Sequence, residues 1–144
     1  MFLLVHAAST WALVGLIWTI QMVHYPLFAQ VGPEGFTAYH HDHTRLITFV
    51  VGPLMLAEAF TTAALVFMPD ALPSDLKGAA WVGAILLAVV WLTTAFISVP
   101  CHNQLAGGFN AHAHDKLVST NWIRTIAWTA RGALVLWIFN RTSS

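Results

Sequence analysis

The chain has 144 residues, of which 58% are hydrophobic and only 8% charged, with six basic and six acidic side chains in balance. Such a length bounds it to one domain, the even charge leaves no electrostatic footprint for nucleic acid, and the single Cys101 excludes an internal disulfide and any cysteine-rich metal or iron–sulfur site. Four apolar runs of spanning length set the expected class: an all-α, four-helix transmembrane bundle whose first partner is the lipid bilayer.

The first run, Phe2 to Val23, is interrupted only by His6, Ser9, Thr10, Thr19 and Gln21. It has no basic n-region and no clear small-residue cleavage site, so it reads as a retained helix and not as a signal peptide. A stretch from His24 to Arg45 follows and holds four of the eight histidines. Within it Gly32-Pro33-Glu34 is a helix start, with proline in the first turn and an acid beside it. The second run, Leu46 to Met68, contains one charge, Glu58, and an internal Pro53 that frees the carbonyl of Phe49 and predicts a kink. The polar, proline-bearing linker Pro69–Gly78 is a tight connection between antiparallel helices.

The third run, Ala79 to Val99, has no charge and ends in PCHNQLAGGFNAHAHDK, with three more histidines. The fourth, Leu117 to Phe139, carries Asn121, Arg124 and Arg131, and Arg141 closes it. The order is therefore helix, His-rich loop, helix, twice over. Counting spans places both termini on one side and both His-rich segments on the other. The basic residues are too evenly spread to orient the bundle. A multi-pass protein of a bacterial inner membrane, single or as a homo-oligomer, is the expected setting.

Charges inside the spans are the hardest residues to explain as filler. Glu58 and Arg131 both lie roughly 20 Å from the His-side end at the rise of an α-helix, so they share a depth. A lone charge there costs about 2.5–3.5 kcal/mol even on the lenient insertion scale, and the two are expected to pair across helices. That pair reads either as structural or as a relay for protons or substrate. On the fourth helix Asn121, Arg124, Trp128 and Arg131 form one stripe. Arg124 is then an inward cation near the His face, suited to an anionic or carbonyl-bearing group.

His40 and His43 stand three apart on one helical face, and His40 lies five whole turns before Glu58. His24 follows Gln21 by three at the end of the first helix, and His102 continues the stripe of Trp91 and Ser98 on the third. His41 falls to the side, with Asp42 as a candidate acceptor that orients a neighbouring imidazole. His114 extends the fourth helix's stripe by two turns, and His112 points the opposite way. Neutral imidazoles converging at one depth suit copper, iron or zinc. His6 sits roughly 27 Å from His24 on the same stripe and is too far to share that site, which leaves it a candidate axial ligand to a heme, the less favoured cofactor. Cys101 reads as packing. No serine sits in a nucleophile elbow, and Gly107-Gly108 is an isolated breaker and not a phosphate cradle.

The segments VPCHNQLAGGF and TNWIRT resemble the small four-helix membrane proteins of the anthrone-oxygenase-like family, much of it known only as a domain of unknown function. The resemblance rests on Pro100, Leu105, Asn121, Arg124 and Thr125, and more loosely on Gly15 and Pro26. At His102 the family looks to favour asparagine. The resemblance implies oxidation of a fused-ring phenolic or quinone-like substrate with dioxygen inside the membrane, Asn121 and Arg124 lying near its oxygen atoms. Helix one alone is similar, in its His–Trp–Gly–His spacing, to small heme-binding four-helix proteins such as the heme-dependent membrane protoporphyrinogen oxidase.

The reading that follows is a membrane oxidoreductase or oxygenase with a polar, His-lined intramembrane pocket that opens on one membrane face, acting on a small hydrophobic aromatic or quinone-like molecule. It assigns catalytic roles to Glu58 and Arg124, substrate contacts to Asn121, Arg124, Trp128 and Arg131, and a metal to His24, His40, His43 and His102. The alternatives are a non-catalytic metal- or heme-binding membrane subunit and a small structural membrane protein.

Overall fold

In the computed structural model, which describes residues 2–143, the chain folds into four antiparallel helical rods, with no strand among the described residues. The first rod joins α1 (Phe2–Thr19) through a wide π turn (Ile20–His24) to a short α2 (Tyr25–Phe28). The second is α3 (Pro33–Phe67). The third joins α4 (Lys77–Thr93) through a second π turn (Thr94–Ser98) to α5 (Val99–Leu105). The fourth is α6 (Ala111–Ser143). The segments Phe2–Phe28, Pro33–Phe67 and Ser74–Leu105 are long and apolar enough to cross a membrane. Outward-facing Phe49, Phe60, Phe67 and Phe96 are each more than 70% exposed. Large apolar side chains suit the surface of a rod whose solvent is hydrocarbon.

The His-rich segments are helix and not loop. Gly32 is extended and Pro33 opens α3, with Phe36 N–H donating to the Gly32 carbonyl, so the start signal lies 13 residues before the apolar run and lifts His40 and His43 onto the rod itself. Likewise Asn110 caps α6, its side-chain oxygen accepting from the Ala113 N–H at 2.9 Å. Gly108, at φ +140°, makes the reversal before it, a conformation an L side chain rarely adopts. Pro53 is accommodated inside a continuous α3.

The two π turns have one cause. Pro26 and Pro100 follow them closely, and a proline inside a helix clashes with the carbonyl four residues back. Widening the preceding turn relieves this: Tyr25 N–H reaches back to the Ile20 carbonyl and Val99 N–H to that of Thr94, five residues each. The widened turns rotate Gln21, His24, Thr94 and Ser98 relative to the helix below them. Both lie at the His end of the bundle.

Packing is layered. Phe28, Phe36, Cys101, Leu105 and Leu117 fill the His end, and Leu13, Ile17, Met55, Val90 and Trp128 fill the middle. Leu65, Leu72, Leu76 and Ile138 fill the far end, where Lys77 Nζ donates to the last carbonyls of α3, those of Leu65 and Met68. Cys101 is buried packing, as expected. At Gly132 a Cβ would meet Val14 at 3.2 Å and Trp11 at 3.3 Å, so this glycine lets α6 approach α1 closely. Gly132→Leu is expected to destabilise the bundle by about 1–3 kcal/mol, read as a lower midpoint in a denaturant titration in detergent.

Candidate functional site

Three elements bring four histidines together at one end of the bundle. His24 comes from the first π turn, His40 and His43 from the second and third turns of α3, and His102 from α5. They form two hydrogen-bonded pairs: His24 Nε2 to His43 Nδ1 at 2.7 Å and His40 Nε2 to His102 Nδ1 at 3.0 Å. Such a contact needs one N–H and one lone pair, so each pair is stable with both rings neutral. The pairs adjoin, with ring centroids of His43 and His102 5.9 Å apart. Fully buried Phe28 turns toward the rings of His24, His40, His43 and His102, and Phe36 stacks on His40. Among the described residues no three His, Cys, Asp or Glu side chains are posed as they stand to hold a metal ion. The histidines predicted to converge do converge, but as two pairs and not as one ready ligand set.

The other polar residues take different places. His41 and His112 lie on the surface, as the stripes require. Asp42 does not orient an inward imidazole: it bonds Arg45 at 3.1 Å on the outside, because its position on α3 faces away from the bundle. His114 is inward but structural. Its Nε2 donates to the Tyr25 carbonyl at 2.8 Å, satisfying one of the open carbonyls at the end of α2. His114→Leu strands that carbonyl, and the expected loss is about 1–3 kcal/mol in the same titration, with ligand binding unchanged.

Beneath the histidines runs a ladder of hydrogen bonds. Asn121 Nδ2 donates to Gln21 Oε1 at 2.8 Å, and Arg124 donates to Asn121 Oδ1 through Nε at 2.9 Å and through Nη2. Arg124 also reaches the Thr94 hydroxyl and, through Nη2, the Tyr25 hydroxyl, both at 3.3 Å. Tyr25 Oη lies 3.1 Å from His102 Nε2, which joins the ladder to the His40–His102 pair. Tyr25 escaped the sequence reading, although Gln21 and Tyr25 stand four apart and so share the face that also aims His24 inward.

Deeper still, Glu58 and Arg131 form the predicted pair, Nε to Oε1 at 2.9 Å, at 0% and 1% side-chain exposure. Thr10 donates to Glu58 Oε1 at 2.9 Å and the Trp128 indole N–H to Oε2 at 3.0 Å. Arg131 also donates to the Thr62 hydroxyl at 3.0 Å and to the Gly83 carbonyl. His6 Nδ1 lies 2.9 Å from the Thr61 hydroxyl and borders a void of about 10 Å³ beside Arg131, which has no room for a heme. Every Glu58 oxygen is engaged, as a structural pair requires.

Between these layers lies a cavity of about 610 Å³, walled chiefly by Leu13, Ile17, Val51, Met55, Trp91 and Trp128. His40, His43, His102, Tyr25, Ser98 and Arg124 reach its wall; His24, Glu58, Asn121 and Arg131 do not. Asn121 thus acts through Arg124, and Glu58 and Arg131 sit behind Trp128. Exposed lining residues from α3 (Thr48, Leu56) and from the third rod (Trp91, Val99, Asn103) open the cavity sideways between those rods. Among the described residues, two buried side-chain polar atoms have no hydrogen-bond partner, His40 Nδ1 and Ser98 Oγ. Both residues line this cavity.

Fold and site together define an all-α helical bundle with three segments long and apolar enough to cross a membrane and a cavity walled in part by histidines. No family model, no curated protein and no solved structure matches the chain.

Proposed function

We propose that the protein is a multi-pass membrane oxidoreductase whose cavity takes a small hydrophobic aromatic molecule bearing hydroxyl or keto groups, a quinol or an anthrone-like phenol. One observation carries this reading: His40, His43, His102, Tyr25 and Arg124 meet on the wall of one mostly apolar cavity of about 610 Å³. A ligand-sized cavity that is mostly apolar and carries a few convergent polar groups is the usual form of a small-molecule site. The sideways opening suits a substrate that arrives from the bilayer.

The chemistry follows from the side chains. A quinol oxidised to the quinone gives up two protons and two electrons, and dioxygen takes both as hydrogen peroxide. A neutral imidazole of His40 or His43 accepts a hydroxyl proton. The Arg124 guanidinium, held by Asn121, stabilises the phenolate that results. The likeness of the Asn121–Arg124 segment to the anthrone-oxygenase-like family supports the same substrate class.

The test is turnover by the purified protein in nanodiscs, with a hydroquinone and an anthrone as probes, following quinone absorbance and dioxygen uptake together. Quinone formation above the rate of empty nanodiscs supports the proposal; equal rates with both probes sink it. Ala95→Phe, which fills the cavity from the third rod, is expected to abolish turnover and to leave the folded fraction unchanged on gel filtration. Retention of a metal without turnover would favour the non-catalytic metal-binding subunit instead.

A further inference from the structure

We infer that His24, His40, His43 and His102 close on one first-row transition ion, of the kind imidazole suits, at the His end of the cavity. This rests on the preceding reading and names the redox-capable group beside the substrate; with the ion bound, His40 and His43 are its ligands in place of proton acceptors, and the phenol gives its proton to water. Four imidazoles around one ion, with metal–nitrogen bonds of ~2.0–2.1 Å, place ligand nitrogens ~3.3 Å apart and ring centroids ~5 Å apart. The rings here have centroid separations of 4.4 Å for His24–His43, 5.3 Å for His40–His102 and 5.9 Å for His43–His102. The paired nitrogens, at 2.7 and 3.0 Å, are a few tenths of an ångström too close. Closing the site requires ring rotations that separate each pair and turn the four nitrogens toward one another, since as they stand no three are posed to hold an ion.

The remaining nitrogens fit the same assignment. A neutral histidine that binds through one ring nitrogen carries its proton on the other. His102 bound through Nδ1 presents Nε2–H to Tyr25 Oη, 3.1 Å away, the outer-sphere contact that fixes a metal-bound imidazole. His40 bound through Nε2 presents Nδ1–H, the atom that has no partner in the protein. No carboxylate joins the set, since Asp42 is engaged with Arg45 outside and Glu58 with Arg131 below. The site keeps the ion's positive charge and attracts an anionic oxygen donor such as a phenolate.

The experiment uses the full chain carrying His41→Ala and His112→Ala, which removes two exposed imidazoles, purified in detergent and loaded with Cu²⁺, Co²⁺ or Zn²⁺ without substrate. After desalting, one ion per chain is expected. The Cu²⁺ electron paramagnetic resonance spectrum should show superhyperfine coupling to three or four nitrogens, and Co²⁺ the intense visible bands of a four-coordinate site. His43→Gln and His102→Gln should each lower retention at least tenfold, and His114→Leu should not. Less than a tenth of an ion per chain with all three metals, or a copper spectrum without nitrogen coupling, overturns the proposal. Because nothing in this test depends on turnover, a metal-bearing protein inactive on quinols leaves the site standing. A metal-free protein that oxidises them leaves the cavity reading alone.

Discussion

Glu58→Ala is expected to cost about 3–5 kcal/mol of stability, the largest effect of any single substitution considered for this chain. The change removes the acceptor of three donors at once, the Arg131 guanidinium, the Thr10 hydroxyl and the Trp128 indole N–H. It also leaves Arg131 charged at 1% exposure in the middle of the bundle. In water such a residue would snorkel toward solvent, but no route outward exists from this depth. The readout is the midpoint of an SDS titration in mixed micelles. The informative comparison is Glu58→Leu with Arg131→Leu, which removes both charges together. That double variant should recover most of the loss, because a buried pair adds little net stability while half of one is strongly unfavourable. Turnover retained by the double variant would establish the pair as structural. Its loss in a folded protein would make the pair part of a relay to the cavity through Trp128.

The second large effect belongs to Arg124. Arg124→Lys is expected to weaken binding of a hydroquinone by about 10- to 100-fold, or roughly 1.4–2.8 kcal/mol, and to lower stability by about 1–3 kcal/mol through the bonds lost at Asn121, Thr94 and Tyr25. Lysine keeps the charge but is a point donor on a flexible stem. It cannot span Asn121, Thr94 and Tyr25 together as the planar guanidinium does. Trp91 and Trp128 line the cavity, so quenching of tryptophan emission reports occupancy directly. An unchanged affinity in Arg124→Lys would reduce Arg124 to a strut for Tyr25 and remove it from substrate positioning.

Much of this was legible before any coordinates. An intramembrane charge admits few solutions, so equal depth on two helices was enough to pair Glu58 with Arg131. Helical phase separated His112 from His114 and His41 from His40, because a helix of known period carries its own compass. The start of α3 was announced by Gly32-Pro33-Glu34, even though the apolar run begins later. What remained hidden was local or non-local in a specific way. The π turns lie beyond a 3.6-residue period, so phases extrapolated through Pro26 and Pro100 drift. They hid Thr94 and Tyr25 for that reason, whereas Ser98 already stands on the stripe of Trp91 and His102. Asn121 was read as touching substrate because it shares the stripe of Arg124, whereas the structure spends both ends of its amide on Gln21 and Arg124.

By itself, then, the order of residues determined the four rods, the common end of their histidines and the depth of the buried charges. Each follows from hydropathy, helical period and the cost of an unpaired charge in hydrocarbon. Only the tertiary structure decided how those histidines meet. Their pairing as His24 with His43 and His40 with His102, and the exclusion of His114, depend on distances between side chains from different rods. A His-lined pocket follows from the converging segments, but its mostly apolar wall and its sideways opening between α3 and the third rod, in place of one on the membrane face, are set by how the rods pack. His40 Nδ1 and Ser98 Oγ lie buried without a partner in the protein, a consequence of how the rods meet that no single segment displays.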